Sequence, residues 1–419
     1  MLPHPPLRHR RRHRGWLPLL PLLPLLPLLP VLLLPGPGLH AQNQARPTEP
    51  EPKSPALRHK PARERLEPFL QPPSEFRGRL GAYRSPLISD NGGPVRTAVE
   101  WARRRQEIAT AWNALLGPWP MVLTNPAVQT LSRQRRENFE QRRVRLEIAP
   151  GQREEGWLLL PEGKGPFPAV LVVFYEPETS VGLKTNAPRR DFALQLTRRG
   201  FVTLSVGTPG GNAWKPELGR ATCQPLSFHA YVAANLWHAL AALPQVDRHR
   251  IGVTGHSYGG KWALFAAALW EPFAAVAVSD PGIVFDETRP NVNYWEPWYL
   301  GWDETQRRPK AGIPSTDNPR TGAYRILREQ GRDLPALESL IAPRPFLLSG
   351  GSEDPIDRWT ALNHLVAVNR ILGLEGRVAM TSRATHDPTE ESNEVLCAFF
   401  EEFLGTPGAA PGPSNHRGR

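Results

Sequence analysis

"RIGVTGHSYGGKWALFAAALW", residues 250–270, decides how the chain is read. A short apolar run, Ile251 to Thr254, meets Gly255-His256-Ser257-Tyr258-Gly259, and a helix-like apolar stretch follows at once. A serine held between glycines where a strand turns into a helix sits on a sharp, strained turn. Its hydroxyl is lifted above the carboxyl end of a sheet, and the N-terminus of the following helix offers free N–H groups and partial positive charge beside it.

The flanks supply the context such a turn needs. "FPAVLVVFY" (167–175) is a continuous apolar run, as in a strand buried on both faces. "RRDFALQLTRRG" then reads as a helix ending at Gly200, "FVTLSVG" as a strand, "PLSFHAYVAANLWHALAAL" as a helix and "HRIGVTG" as the strand before Ser257. After the 258–270 helix come strand "FAAVAVS", a long insertion, strand "RPFLLSG", helix "RWTALNHLVAVNRILG", strand "RVAMTS" and helix "EESNEVLCAFFEEFL". Strands alternating with helices predict an α/β fold with a mostly parallel, doubly wound sheet and a lid-like insertion among the strands after the nucleophile. "QRRVRLEIA" and "EGWLLLP" read as half-buried strands leading into it, and "TAVEWARRRQEIATAWNALL" (97–116) as an amphipathic helix on Trp101, Ile108, Trp112 and Leu115.

The ends differ in character. Arg8, Arg10, Arg11, Arg12 and Arg14 precede a Leu/Pro-rich apolar run from Trp16 to Leu34, which reads as a secretory signal peptide with cleavage near Ala41; a retained anchor is the alternative. Residues 42–75 are polar and Pro-rich and read as a linker, 76–134 as an N-terminal helical extension, 135–404 as the catalytic domain, and 405–419 as a disordered tail. The whole chain of 419 residues carries a formal charge of +11, and the five leader arginines account for almost half of that excess. The remaining basic residues are interspersed with acids, as in "RRENFEQRRVRLE", so neither nucleic-acid binding nor stable membrane insertion after cleavage is expected. Cys223 and Cys397 are the only cysteines and leave one disulfide open. No Cys-x-x-Cys or His-Glu-x-x-His occurs, so neither a metal nor a cofactor is expected.

A serine needs a base, and the base needs an acid to orient it; in this kind of fold the chain order is Ser, acid, His. Of the histidines after Ser257, His416 is in the tail and His364 lies mid-helix, whereas His386 follows a strand in the loop "ATHDP". "FLLSGGSEDPID" offers Glu353, Asp354 and Asp357 as the acid; Asp354 is preferred, with Asp280 in "AVAVSDPG" as its rival. His256 should point into the core. The oxyanion hole falls to the backbone N–H of Tyr258 and to Tyr175 or Glu176 after "AVLVVFY".

With these motifs in place the chain resembles the α/β-hydrolase superfamily, and more narrowly secreted bacterial carbohydrate esterases, over about residues 117–404. "GHSYGGKWA" is similar to the glucuronoyl esterase motif Gly-Cys-Ser-Arg-Asn-Gly-Lys-Gly, with Ser257, Gly260 and Lys261 in register. "ESLIAPRPFLLSGG" and "GWLLLPEGKGPFPAVLVV" are similar to other segments of glucuronoyl and acetyl xylan esterase-like hydrolases. His256, Tyr258 and Gly259 stand where that motif has Cys, Arg and Asn. The resemblance implies a Ser-His-Asp acyl-enzyme mechanism on an esterified carbohydrate or small ester, an acid from either of two strand ends, and a sugar-binding role for Lys261. "NVNYWEPWYLGW" in the insertion from Gly282 to Leu340 offers Trp295 and Trp298 as sugar-facing aromatics, or a small aromatic core. The alternatives are a prolyl oligopeptidase-type peptidase, which the lack of a preceding propeller repeat disfavours, and a glycan-binding module on an inactive hydrolase fold.

Overall fold

A computed structural model describes residues 60–184, 186–305 and 312–405. The leader, most of the expected linker and nearly all of the tail lie outside the described residues. The strands are β1 (Val128–Arg136), β2 (Phe139–Ala149), β3 (Gln152–Pro161), β4 (Phe167–Val173), β5 (Val202–Val206), β6 (Val246–His256), β7 (Ala275–Ser279), β8 (Phe346–Gly350) and β9 (Val378–Ser382). They form one nine-stranded sheet in the order β1-β2-β3-β5-β4-β6-β7-β8-β9. β1, β2, β3 and β5 pair antiparallel in succession, and every pairing from β5 to β9 is parallel. β1 begins inside the stretch, 76–134, expected to be a helical extension.

The helices are α1 (Ala62–Leu66), α2 (Ala98–Leu116), α3 (Pro177–Ser180), α4 (Phe192–Thr197), α5 (Pro225–Ala241), α6 (Tyr258–Leu269), α7 (Gly322–Glu329), α8 (Leu334–Glu338), α9 (Trp359–Ile371) and α10 (Glu390–Leu404). Alternation along β4 shows how they cover the sheet. Ala169, Leu171 and Val173 belong to the core shared with α2, α5, α6 and α9, and Val170 and Val172 to the core shared with α4 and α10. Cys223 packs in the first core and Cys397 in the second, so the sheet lies between them; both are free thiols.

α1 lies within the segment expected to be linker. Leu66 is fully buried, and Arg65 pairs with Glu394 and Glu401 on α10. A Pro-rich composition hides this short docked turn, because a single buried leucine and two arginines, Arg63 and Arg65, anchor it to α10. α2 starts on a capping box in which Thr97 Oγ1 accepts from Glu100 N–H while the Glu100 carboxylate accepts from Thr97 N–H. Trp101, Ile108, Trp112 and Leu116 form its buried stripe. Among the described residues no helix is long and apolar enough to cross a membrane.

Candidate active site

The strand-to-helix turn at Ser257 is as tight as its sequence implies. Ser257 has φ 56° and ψ −118°, a left-handed conformation costly for any residue with a side chain. Its N–H donates to Ser279 O at 2.8 Å, and its carbonyl accepts from Lys261 N–H at 3.0 Å. Gly259 makes the turn possible: a Cβ there would lie 2.0 Å from the Val173 carbonyl oxygen. Ser257 is left half-exposed at the carboxyl end of β6.

The other candidates come from neighbouring strand ends. Tyr175 follows β4; burial, partly offset by the nearby Ser257 hydroxyl, pushes its phenol pKa up. Tyr258 is the first residue of α6, so its N–H has no acceptor within the helix. Its own side chain is buried, with its hydroxyl on His229 Nε2.

His386, after β9, is placed against Asp280, after β7. Nδ1 and Asp280 Oδ2 are 2.7 Å apart, and since a carboxylate accepts, Nδ1 carries the proton and Nε2 is left for chemistry. Asp280 is fully buried, in a left-handed conformation (φ 50°), and also accepts from Asp354 N–H at 2.8 Å and Glu353 N–H at 3.2 Å. Gly351 leaves the room for this meeting, since a Cβ there would lie 2.6 Å from Asp280 Oδ2 and 2.4 Å from Thr385 O. Arg383 fixes the histidine loop, donating to Ser349 O, Gly350 O and His386 O at 2.8–3.0 Å.

The preference for Asp354 as partner of His386 is thereby corrected. The Asp354 carboxylate faces the other way, accepting Gly282 N–H and Ile283 N–H at 2.7 Å each. Burial, and then the charge of Asp280, raise its pKa. The two aspartates cross-brace: the loop after β8 donates N–H groups to Asp280, and the loop after β7 donates N–H groups to Asp354. Chain order could not reveal this, because both acids follow adjacent strands and the turn geometry decides which one reaches the imidazole.

Two further expectations change. Lys261 does not reach the site: it is 2% exposed and donates to Pro281 O at 2.6 Å and Asn291 O at 3.1 Å, with Tyr294 and Tyr299 beside its ammonium. It ties the start of the insertion to α6, and burial lowers its pKa to about 8. Trp295 is 1% exposed and donates to Gly312 O, so it belongs to the insertion's own aromatic core. Trp298 is half-buried against Tyr299 and keeps a partly open face. His256 lies under the site, its ring 4.6 Å from that of His386 and its Nδ1 3.0 Å from Ser279 Oγ; burial and the neighbouring His386 hold it neutral, with a pKa well below the usual histidine value. The sequence reading missed Trp214, which follows β5 and stacks on Tyr175 with ring centroids 6.0 Å apart. Its place just past the carboxyl end of a central strand was the available signal. No cluster of three metal-binding side chains occurs among the described residues.

The model of the prolyl oligopeptidase family matches residues 192–320. No curated protein sequence matches the chain. Solved structures match along most of it. A glucuronoyl esterase from Solibacter usitatus aligns with a TM-score of 0.60 at 18% identity, covering 77% of this chain and 98% of its own. A promiscuous CE15 esterase from a marine bacterial metagenome aligns with a TM-score of 0.58 at 17% identity, covering 77% and 97%. The CE15 glucuronoyl esterase of Teredinibacter turnerae T7901 gives 0.56 at 17%, covering 76% and 89%. The fold is that of an α/β-hydrolase. In an α/β-hydrolase the serine at the strand-to-helix turn and the histidine after the last strand stand on the same rim of the sheet, and Ser257 and His386 occupy those two places.

Proposed function

We propose that the chain is a serine ester hydrolase acting on an esterified carbohydrate. The observation that carries this reading is the 2.7 Å contact of His386 Nδ1 with buried Asp280, on the rim where Ser257 is held in its strained turn. Ser257 Oγ attacks the ester carbonyl while His386 Nε2 takes its proton; the Ser257–His386 hydrogen bond tightens in the substrate complex. Asp280 fixes the imidazole and stabilises the imidazolium. The Tyr258 N–H and the Tyr175 hydroxyl stabilise the oxyanion. His386 then protonates the leaving alcohol, and a water activated by the same base releases the acid and restores Ser257. The likeness to glucuronoyl esterase structures supports a carbohydrate ester. The basic leader and apolar run support export of the enzyme.

The match to the prolyl oligopeptidase family favours a second reading, cleavage of peptide bonds by the same residues. Turnover of p-nitrophenyl acetate, acetylated xylan and glucuronate methyl esters, against peptide anilides, separates the two. The esterase reading requires ester turnover that disappears in Ser257→Ala, and hydrolysis of peptide anilides alone overturns it.

A further inference from the structure

Trp214 is 64% exposed, the most open tryptophan among the described residues. Its loop is nevertheless held in place. Gly210 N–H donates to Glu154 Oε1 at 2.6 Å, Glu217 N–H to Pro209 O at 3.0 Å, and the N–H groups of Trp214 and Lys215 to Asn212 Oδ1 at 3.0 and 3.1 Å. One side of the indole stacks on Tyr175 at 30°, and Tyr175 in turn lies 4.8 Å from Tyr258. Tyr258 directly follows Ser257 at the start of α6, so this ring row ends beside the nucleophile. A row of aromatic rings therefore runs from solvent to the nucleophile, and its outer end is a preorganised apolar face that the fold leaves uncovered.

Resting on the ester hydrolase reading, we infer that Trp214 is a stacking platform for a pyranose ring of the substrate, next to the ring that bears the ester. A pyranose is polar at its rim and presents C–H groups on its faces, so a rigid indole face buries that apolar side while the hydroxyls remain in water. The specificity so produced favours esters carried on an oligosaccharide over esters of a small alcohol, because only the former extends one ring beyond Ser257.

Two measurements test this. The first is the ratio of kcat/KM for acetylated xylo-oligosaccharides to that for p-nitrophenyl acetate, in the wild type, Trp214→Ala and Trp214→Phe. The ratio should fall about tenfold in Trp214→Ala, equivalent to ~1.4 kcal/mol, and recover in part in Trp214→Phe. The second is calorimetric binding of the same oligosaccharides to Ser257→Ala with and without Trp214→Ala, and it should show the same loss of affinity. An unchanged ratio, or equal affinity with and without the indole, overturns the platform. Lack of ester turnover by the wild type would count against the hydrolase reading, and the binding comparison would still decide the role of Trp214.

Discussion

Asp280 and Asp354 hold each other's loops: Asp354 N–H donates to Asp280 Oδ1 at 2.8 Å, while the Asp354 carboxylate accepts from Gly282 and Ile283, just beyond Asp280. Only Asp280 is turned to His386. The two carboxylates therefore divide the work, one holding the His386 imidazole and the other setting the loop that carries the first. Asp354→Asn should reduce stability by ~1–3 kcal/mol, because the amide NH2 would face a backbone N–H where an acceptor is needed. Thermal unfolding of the variant against the wild type checks this, and an unchanged midpoint would refute the brace.

Tyr175→Phe keeps the ring stack with Trp214 and Tyr258 and removes only the hydroxyl at Ser257. Loss of one oxyanion donor lowers kcat by ~10²-fold. Steady-state kinetics on p-nitrophenyl acetate should show that fall in kcat with little change in KM. A raised KM at constant kcat would make Tyr175 a binding residue instead.

Gly259→Ala should abolish the folded site. The added methyl would sit 2.0 Å from a backbone oxygen of β4, which has no side-chain freedom to yield. Destabilisation above ~4 kcal/mol is expected from strain of this kind. Soluble yield and thermal midpoint measure it, and a well-folded, active variant would show that the turn is looser than described.

His229 gives a pH dependence of stability. Burial pushes its pKa down to about 4, partly offset by the Pro225 carbonyl, while the unfolded chain protonates near the ordinary 6.5. The unfolded state therefore binds more protons between these values. The stability from the neutral ring is present above about 6.5 and is lost as pH falls towards about 4, by ~3 kcal/mol. The midpoint of His229→Asn should fall less steeply over that range than that of the wild type. Parallel curves would remove His229 from the acid response.

Much of this could be read from the sequence because local chemistry decided it. The Gly-x-Ser-x-Gly turn admits few backbone paths, and the apolar runs at 167–173 and 275–278, bounded by turn residues, fit buried strands, as they prove to be. His386 stood out as a histidine in a loop directly after a strand. The remainder depended on tertiary geometry. The choice of Asp280 over Asp354 turned on a positive φ and on the space left by Gly351. Lys261 looked available because it stands in register with a family motif, and Trp295 because aromatic faces suit sugars, yet both are buried, Lys261 against the start of the insertion and Trp295 in the insertion's own core. Trp214 was passed over because an exposed tryptophan in a Gly-rich loop gains meaning only once Tyr175 is seen beneath it.

The rate at which Ser257 is labelled by a fluorophosphonate, followed by mass spectrometry in the wild type, Asp280→Asn and Asp354→Asn, tests the central claim most directly. The account predicts a single label on Ser257, formed at least ~10²-fold more slowly in Asp280→Asn, since loss of the orienting carboxylate of such a triad costs up to ~10⁴. Asp354→Asn, assayed below its unfolding temperature, should retain the larger part of the wild-type rate. No label on Ser257, or a slower reaction in Asp354→Asn than in Asp280→Asn, would contradict it.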